Sequence, residues 1–291
     1  MPEPEAVFAL DFFRTNPKPF CLLSKELLRG NHKPTPTHYF MKLLHDKGML
    51  GRIVTQNIDS LEHAAGIPSN KIFQIHGGFS QAFCISCRKQ YPIEHWRGII
   101  DSDGIPRCTE SDCAGLIKPD IVFFGEGLNI PTLRRYDMEY IPSADLFFCM
   151  GTSMKVMPAG SLHRSTNKRC PRVLINRERV GHERTFQELF FQSGDSDEDD
   201  WKPVRFENHD SLTDVEWAKK VSQARISRDV YSPPFEFDSA KNKRDVFLEG
   251  DCDDIIFKLV QAAGWEKEFM DLLIEAKHQE ALDRFTNFLQ Q

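Results

Sequence analysis

Four cysteines, Cys84, Cys87, Cys108 and Cys113, fall as C-x2-C, a spacer of twenty residues, and C-x4-C. Two close pairs on two turns is how four thiolates reach the corners of a tetrahedron, so the spacing predicts one bound zinc ion. With every corner filled by protein, no position remains for water or substrate, and the ion is expected to be structural. A disulfide framework is the competing reading. Against it, no secretory leader opens the chain, and Cys21, Cys149, Cys170 and Cys252 stand singly among apolar or loop residues.

Two loops dense in polar and aromatic groups flank the cysteines. Upstream lie Thr55-Gln56-Asn57-Ile58-Asp59 and His76-Gly77-Gly78, and downstream Lys118 to Glu126 (KPDIVFFGE). An imidazole has an ordinary pKa of about 6.5 and offers a neutral base at cellular pH, which makes His76 a candidate for proton transfer. A lone His before Gly-Gly is also a common turn residue, as are Asn and Asp in one tight loop. Gly151-Thr152-Ser153 follows an apolar run, and small hydroxyl residues with exposed N–H groups at a strand end suit anions.

The elements that must position these groups read as an α/β chain. Pro34 to Lys47 has apolar residues at helical spacing, with Thr35 or Thr37 as the cap and Gly48 as the stop. Met49 to Thr55, Ala144 to Met150 and Arg172 to Ile175 read as strands, the last two ending at polar loops. Strands buried on both faces and alternating with helices predict a parallel sheet with ligands at its carboxyl ends. Ser193 to Lys243 opens on SGDSDEDD and reads as a disordered acidic insertion with one helix near Asp214 to Ala224. Glu266 to Leu289 reads as a single C-terminal helix.

At 291 residues, with 40% hydrophobic and 11% aromatic content, the chain can bury a large core and a smaller one. No apolar run approaches the roughly 20 residues of a membrane-spanning helix, so no membrane contact is expected. A net charge of -6 gives no general affinity for nucleic acid. Unpaired thiols beside a zinc site fit a reducing compartment, cytoplasmic or nuclear.

TQNIDSLEHAAGI, IHGGF, the paired cysteines, KPDIVFFGE, GTSMKV, LINRE and RDVFLEGDCDD together resemble the sirtuins, NAD-dependent protein-lysine deacylases, in order and approximate spacing. The resemblance runs from about Pro4 to about Trp265. PEAVFALDFF and HYFMKLLHDKGML are most similar to the cytosolic branch that deacetylates tubulin and histones. It implies a Rossmann-like NAD-binding domain over residues 34–76 and 121–265, interrupted by the insertion at about 193–243. It further implies a zinc-binding module at 77–120, part of a helical module at 1–33, and a C-terminal helix at 266–291.

By the same resemblance, His76 is the catalytic base and acetylated protein substrates of the histone or tubulin type are the partners. Lysine deacetylation would yield nicotinamide and O-acetyl-ADP-ribose. Gln56 would hold a ribose, Asn57 would order the ribose face or a water, and Ile58 and Asp59 would line the nicotinamide pocket. Gly151, Thr152 and Ser153 would meet phosphate or ribose oxygens, Asn176, Arg177 and Glu178 the adenosine ribose, and Cys252 the adenine. For Cys252, a buried thiol with a packing role is an equal reading. Val122, Phe123, Phe124, Gly125 and Glu126 would bind substrate: an exposed edge adds the peptide as a strand, and apolar groups enclose the neutral acyl-lysine stem. Sirtuins carry a first strand and a Gly-rich loop of the type GAGIS ahead of the counterpart of PEAVF, and this chain begins at MPEPEAVF. The alternative readings are an inactive truncated isoform serving as a zinc-stabilised interaction module, and a protein ADP-ribosyltransferase.

Overall fold

The computed structural model describes residues 4–29, 32–182 and 232–290. They form two compact units, one from the described residues of Met1–Pro34 and Arg52–Leu128, the other from those of Thr35–Gly51 and Asn129–Gln291.

In the first unit, helices α1 (Leu10–Thr15) and α2 (Lys18–Arg29) precede a parallel strand pair, β1 (Ile53–Thr55) with β2 (Ile72–Gln74). The short helix α4 (Leu61–Ala64) joins the two strands. β1 is shorter than the Met49 to Thr55 expected, because the Met49 and Leu50 amides donate back to Leu44 O at 2.8 and 3.1 Å and so complete a helix end. β3 (Gly77–Cys84) lies between β4 (Gln90–Pro92) and β5 (Ile117–Ile121) in an antiparallel sheet, and helix α5 (Ile93–Asp101) follows β4. At Gly77 φ is +71°, and a Cβ there would stand 1.7 Å from Asp120 O, so only glycine allows β3 and β5 to meet this closely.

Aromatics fill the core of this unit. Phe123, only 1% exposed, has the rings of Phe8, Phe13 and Phe20 around it with centroids 4.8 to 6.1 Å away, each at a steep interplanar angle. Edge-to-face pairs of this kind contribute beyond the area they bury. Trp96 of α5 is fully buried and donates Nε1–H to Ile117 O at 3.1 Å, tying the helix to β5.

The second unit contains α3 (Pro36–Asp46), α6 (Ile130–Arg135) and a parallel sheet of β6 (Phe147–Met150), β7 (Arg172–Asn176) and β8 (Asp245–Glu249) in that order. Thr35 caps α3: its N–H donates to His38 Nδ1 at 3.1 Å, and Gly48 at φ +72° ends the helix. The other cap candidate, Thr37, instead gives both its N–H and its hydroxyl to Asp253 Oδ1, at 3.1 and 2.7 Å. After β8 come α7 (Cys252–Ala263), α8 (Glu266–Glu275) and α9 (Gln279–Leu289), which bury Phe257, Phe269 and Phe285 together. The single helix expected over Glu266 to Leu289 is thus two. Lys277 takes φ +53°, and the His278 ring accepts the Ala281 N–H at 3.1 Å as a new N-cap, so the chain turns there.

A fully buried ion pair lies in this unit. Arg172 of β7 and Asp245 of β8, each side chain 0% exposed, meet at 2.5 Å, and the guanidinium also donates to the carbonyls of His163, Pro233 and Pro234 at 2.9 to 3.2 Å. Phe235 lies under the guanidinium at 4.8 Å and is itself buried. The acidic insertion expected over 193–243 is therefore corrected at its end. Residues 232–243 are described, and their start is anchored: Ser232 and Phe235 are buried, the Pro233 and Pro234 carbonyls satisfy the buried arginine, and Ser232 Oγ donates to Thr166 O at 2.6 Å. The acidic run itself and the helix expected near Asp214 to Ala224 lie outside the described residues.

Candidate functional site

The four cysteines come together. Cys84 ends β3, Cys87 follows on the turn to β4, and Cys108 and Cys113 lie on the loop between α5 and β5. Their sulfurs all fall within 4.8 Å of one another, with Cys84 to Cys113 at 3.5 Å and Cys87 to Cys108 at 3.6 Å. A tetrahedron with metal–sulfur bonds of about 2.3 Å has edges of about 3.8 Å, so the set fits one structural zinc ion. Outer partners hold the ligands: the Ser86 N–H donates to Cys84 Sγ at 3.4 Å, and the Tyr91 hydroxyl reaches Cys108 Sγ at 3.1 Å. That hydroxyl bond is the largest cause that lowers the Cys108 thiol to about 6, while in the metal-free cluster Cys113 is raised and Cys87 is pushed up to about 12, so the four sulfurs share their protons as one set. Tyr91 gave no sequence signal beyond its alternation on β4. The single cysteines behave differently: burial pushes Cys21 and Cys170 up to about 11 and Cys149 to about 12, leaving inert thiols.

His76 stands between β2 and β3. Its Nδ1 lies 3.0 Å from Gln56 O, so the ring donates there and presents Nε2 as the free nitrogen. Its backbone oxygen accepts the Val122 N–H at 2.9 Å, which joins the histidine to the KPDIVFFGE segment. Asn57 is exposed, with its N–H on Thr55 Oγ1 at 3.2 Å. Ile58 packs against the hydrophobic core of the unit. Asp59 is exposed, and one of its carboxylate oxygens accepts the Leu61 N–H at 3.1 Å at the start of the short helix α4. Gln74 and Ser60 were not singled out from sequence; they join across this loop at 3.2 Å.

The segment Val122 to Gly125 also differs from an open strand edge. β5 stops at Ile121, the Phe124 N–H donates to Phe8 O at 2.8 Å, and Phe124 O accepts from Leu10 N at 3.0 Å, so N-terminal backbone occupies that stretch. Alternation splits the phenylalanines: Phe123 points into the core, while Phe124 is 61% exposed. Glu126 is likewise engaged internally, accepting the Phe123 N–H at 2.8 Å and pairing with Lys118 at 2.9 Å. Gly125, at φ +92°, makes the turn that lets Glu126 N–H return to Phe123 O at 2.9 Å.

In the second unit the carboxyl ends of β6, β7 and β8 carry three neighbouring loops, the place where parallel sheets receive ligands. Gly151, φ +59°, lies beside Cys252, whose sulfur would sit 3.4 Å from a Cβ there. Thr152 Oγ1 accepts the Met154 N–H at 3.1 Å, and Ser153 Oγ stands 3.5 Å from Lys155 N. Asn176 turns its amide inward, donating to Thr152 O at 3.2 Å and Glu178 O at 2.9 Å, so it ties two loops together. The Glu178 carboxylate is on an exposed residue, and Arg177 pairs with Asp251 at 2.8 Å. Asp251 caps α7, and burial with the nearby Asp251 and Asp253 carboxylates pushes the Cys252 thiol up.

A parallel sheet with loops at its carboxyl ends in one unit, and a zinc-ready four-thiolate module with an oriented histidine in the other, define an α/β protein. The model of the Sir2 family matches residues 1–158. The chain is 39% identical over 274 residues to the NAD-dependent deacetylase sir2A of Dictyostelium discoideum, covering 94% of this chain and 44% of the relative. It is 36% identical over 292 residues to the NAD-dependent protein deacetylase sirtuin-2 of Danio rerio, covering 98% and 66%, and 49% identical over 181 residues to the NAD-dependent protein deacetylase sirtuin-3 of Mus musculus, covering 62% and 53%. The chain belongs to the Sir2 family. It spans between 44% and 66% of the length of these three relatives. Among the described residues no helix is long and apolar enough to cross a membrane.

Proposed function

We propose that the protein is an NAD-dependent protein-lysine deacetylase. The observation that carries the reading is the His76 ring, whose Nδ1 is engaged by Gln56 O at 3.0 Å so that Nε2 is free to accept a proton. The names of its relatives, three of them NAD-dependent deacetylases, support the same reaction.

When bound, NAD would supply an electrophilic ribose carbon with nicotinamide as its leaving group, which a weakly nucleophilic acyl oxygen could displace. The chain's own residues do the rest. His76 Nε2 would take up the proton of the ribose hydroxyl that attacks the acyl carbon, the lysine amine leaving, and Gln56, Asn57, Ile58 and Asp59 stand on the same loop system as the imidazole. Gly151, Thr152 and Ser153 would hold phosphate or ribose oxygens through small hydroxyls and backbone N–H groups, and the exposed Glu178 carboxylate, with Arg177 beside it, would accept adenosine ribose hydroxyls. Cys252 would pack against the base.

The turn Val122 to Gly125 would meet the substrate through the exposed Phe124 and the remaining backbone groups, with Phe123 and Glu126 holding the turn from inside. A neutral acyl-lysine fits an apolar passage where an ammonium would be costly to desolvate. Substrates of the histone or tubulin type in cytoplasm or nucleus follow from the resemblance of PEAVFALDFF and HYFMKLLHDKGML to the cytosolic branch. The zinc ion would be structural, since the protein supplies all four ligands.

The test is incubation of the purified chain with NAD and an acetyl-lysine peptide. Nicotinamide release that requires the peptide supports the proposal. No release would favour an interaction module, and label from NAD appearing on protein would favour ADP-ribosyl transfer.

A further inference from the structure

Lys118 is a lysine where the chain can least accommodate one. Its side chain is 6% exposed and that of its partner Glu126 16%, and burial draws the Lys118 ammonium below the ordinary lysine range although Glu126 opposes this. Buried ion pairs are a weak source of stability, because the cost of desolvating both charges offsets most of their attraction. A methionine would fill the same volume without that cost. What the pair supplies here is direction.

The ammonium reaches Ile121 O at 2.6 Å, Pro119 O at 3.3 Å and Glu126 Oε2 at 2.9 Å, over the face of Phe123 at 4.7 Å. The same Glu126 oxygen accepts the Phe123 N–H at 2.8 Å. Ile121 C=O and Val122 N–H belong to one peptide plane, and the Val122 N–H donates to His76 O at 2.9 Å. That plane is therefore held at both edges, by a buried cation on the carbonyl and by the histidine backbone on the amide. The chain of bonds continues through the His76 ring to Gln56 O.

We propose that Lys118 and Glu126 form a buried clamp that fixes the Ile121–Val122 peptide plane and thereby positions both His76 and the substrate-facing turn Val122 to Gly125. They are positioning residues and touch no reacting atom. The inference rests on the deacetylase reading for its kinetic consequence, and on the hydrogen-bond chain alone for its structural one.

Three variants test it: Lys118→Met, Glu126→Gln, and the double substitution, which leaves no unpaired buried charge. Zinc content and melting identify the folded variants. Hydrogen exchange then reads the Val122 amide against the other β3–β5 amides, and steady-state kinetics reads KM for an acetyl-lysine peptide against KM for NAD. In folded Lys118→Met the Val122 amide should exchange on the order of tenfold faster while the other sheet amides keep their protection. The peptide KM should rise on the order of tenfold with the NAD KM changed far less, as expected when a binding turn is misplaced. The double variant should be no worse than the worse single, since the two side chains act as one unit. Unchanged Val122 exchange and unchanged peptide KM in a folded Lys118→Met variant would overturn the clamp. Should the unsubstituted chain consume no NAD with any acyl peptide, the deacetylase reading fails, and exchange at Val122 still decides the clamp by itself.

Discussion

His163 gives the second unit a calculable response to acid. Its ring is 4% exposed and stacks on Phe235 at 4.6 Å, and burial, reinforced by the Arg172 and Arg164 charges, lowers its pKa from 6.5 to about 3. Below pH 6.5 the unfolded chain takes up a proton that the native unit refuses. The unfolded state then binds more protons, so stability falls as the pH drops, from 6.5 down to about 3. Each pH unit in that window is worth about 1.4 kcal/mol, so moving to pH 5 should remove about 2 kcal/mol from the unit. Asp245 does not confuse the reading. Arg172 and the Glu236 amide outweigh the effect of burial and hold its carboxyl below its ordinary 3.8, so its contribution is present above that value and is lost only at lower pH. The assay is hydrogen exchange at the β7 amides of Leu174 and Ile175, corrected for intrinsic rates, at pH 7, 6 and 5 and constant ionic strength. In His163→Phe most of the slope between pH 6.5 and 5 should vanish. A variant with the parent slope, or a parent protein whose stability is flat over that range, would refute the assignment.

The remaining expectations concern the first unit. The purified chain should contain one zinc per molecule by elemental analysis; Cys84→Ser should lose it and unfold the module, and Tyr91→Phe should weaken zinc binding by about tenfold through loss of an outer-shell hydroxyl. Gly77→Ala should cost more than about 3 kcal/mol, because the new methyl would meet the Asp120 carbonyl at a left-handed backbone position, whereas Gly78→Ala meets only the end of the Gln74 side chain; denaturant midpoints compare the two. Phe123→Ala should cost about 3 to 5 kcal/mol as a core truncation, while Phe124→Ala should leave the midpoint within about 0.5 kcal/mol and raise the KM for acyl peptide.

The parts of this molecule that were legible in its residues are those set by local chemistry. Cysteine spacing located the metal module because four ligands on two turns need little tertiary context. Thr35 or Thr37 as cap and Gly48 as stop marked helix α3, because caps and stops act within one turn. The strands of the second unit were found at their apolar runs, although β8 was visible only as part of a family motif, since DVFLE mixes charge with apolar residues. What sequence did not disclose depends on partners far along the chain. The inward turn of Glu126 requires Lys118, the packing of residues 232–243 requires Arg172, and the occupied edge at Phe124 requires Phe8 and Leu10. The break at Lys277 and His278 eluded periodicity because the apolar spacing of α8 and α9 continues in near-register across it.

The central claim is that this chain moves an acyl group from lysine to the ribose of NAD with His76 as the base. Its most direct measurement is the fate of a labelled acetyl group when the chain, carrying zinc, meets NAD and an acetyl-lysine peptide. The account predicts equal amounts of nicotinamide, free lysine peptide and acetylated ADP-ribose, with all three abolished in a folded, zinc-replete His76→Tyr variant. Label recovered as free acetate without nicotinamide, or turnover surviving in that variant, would contradict it.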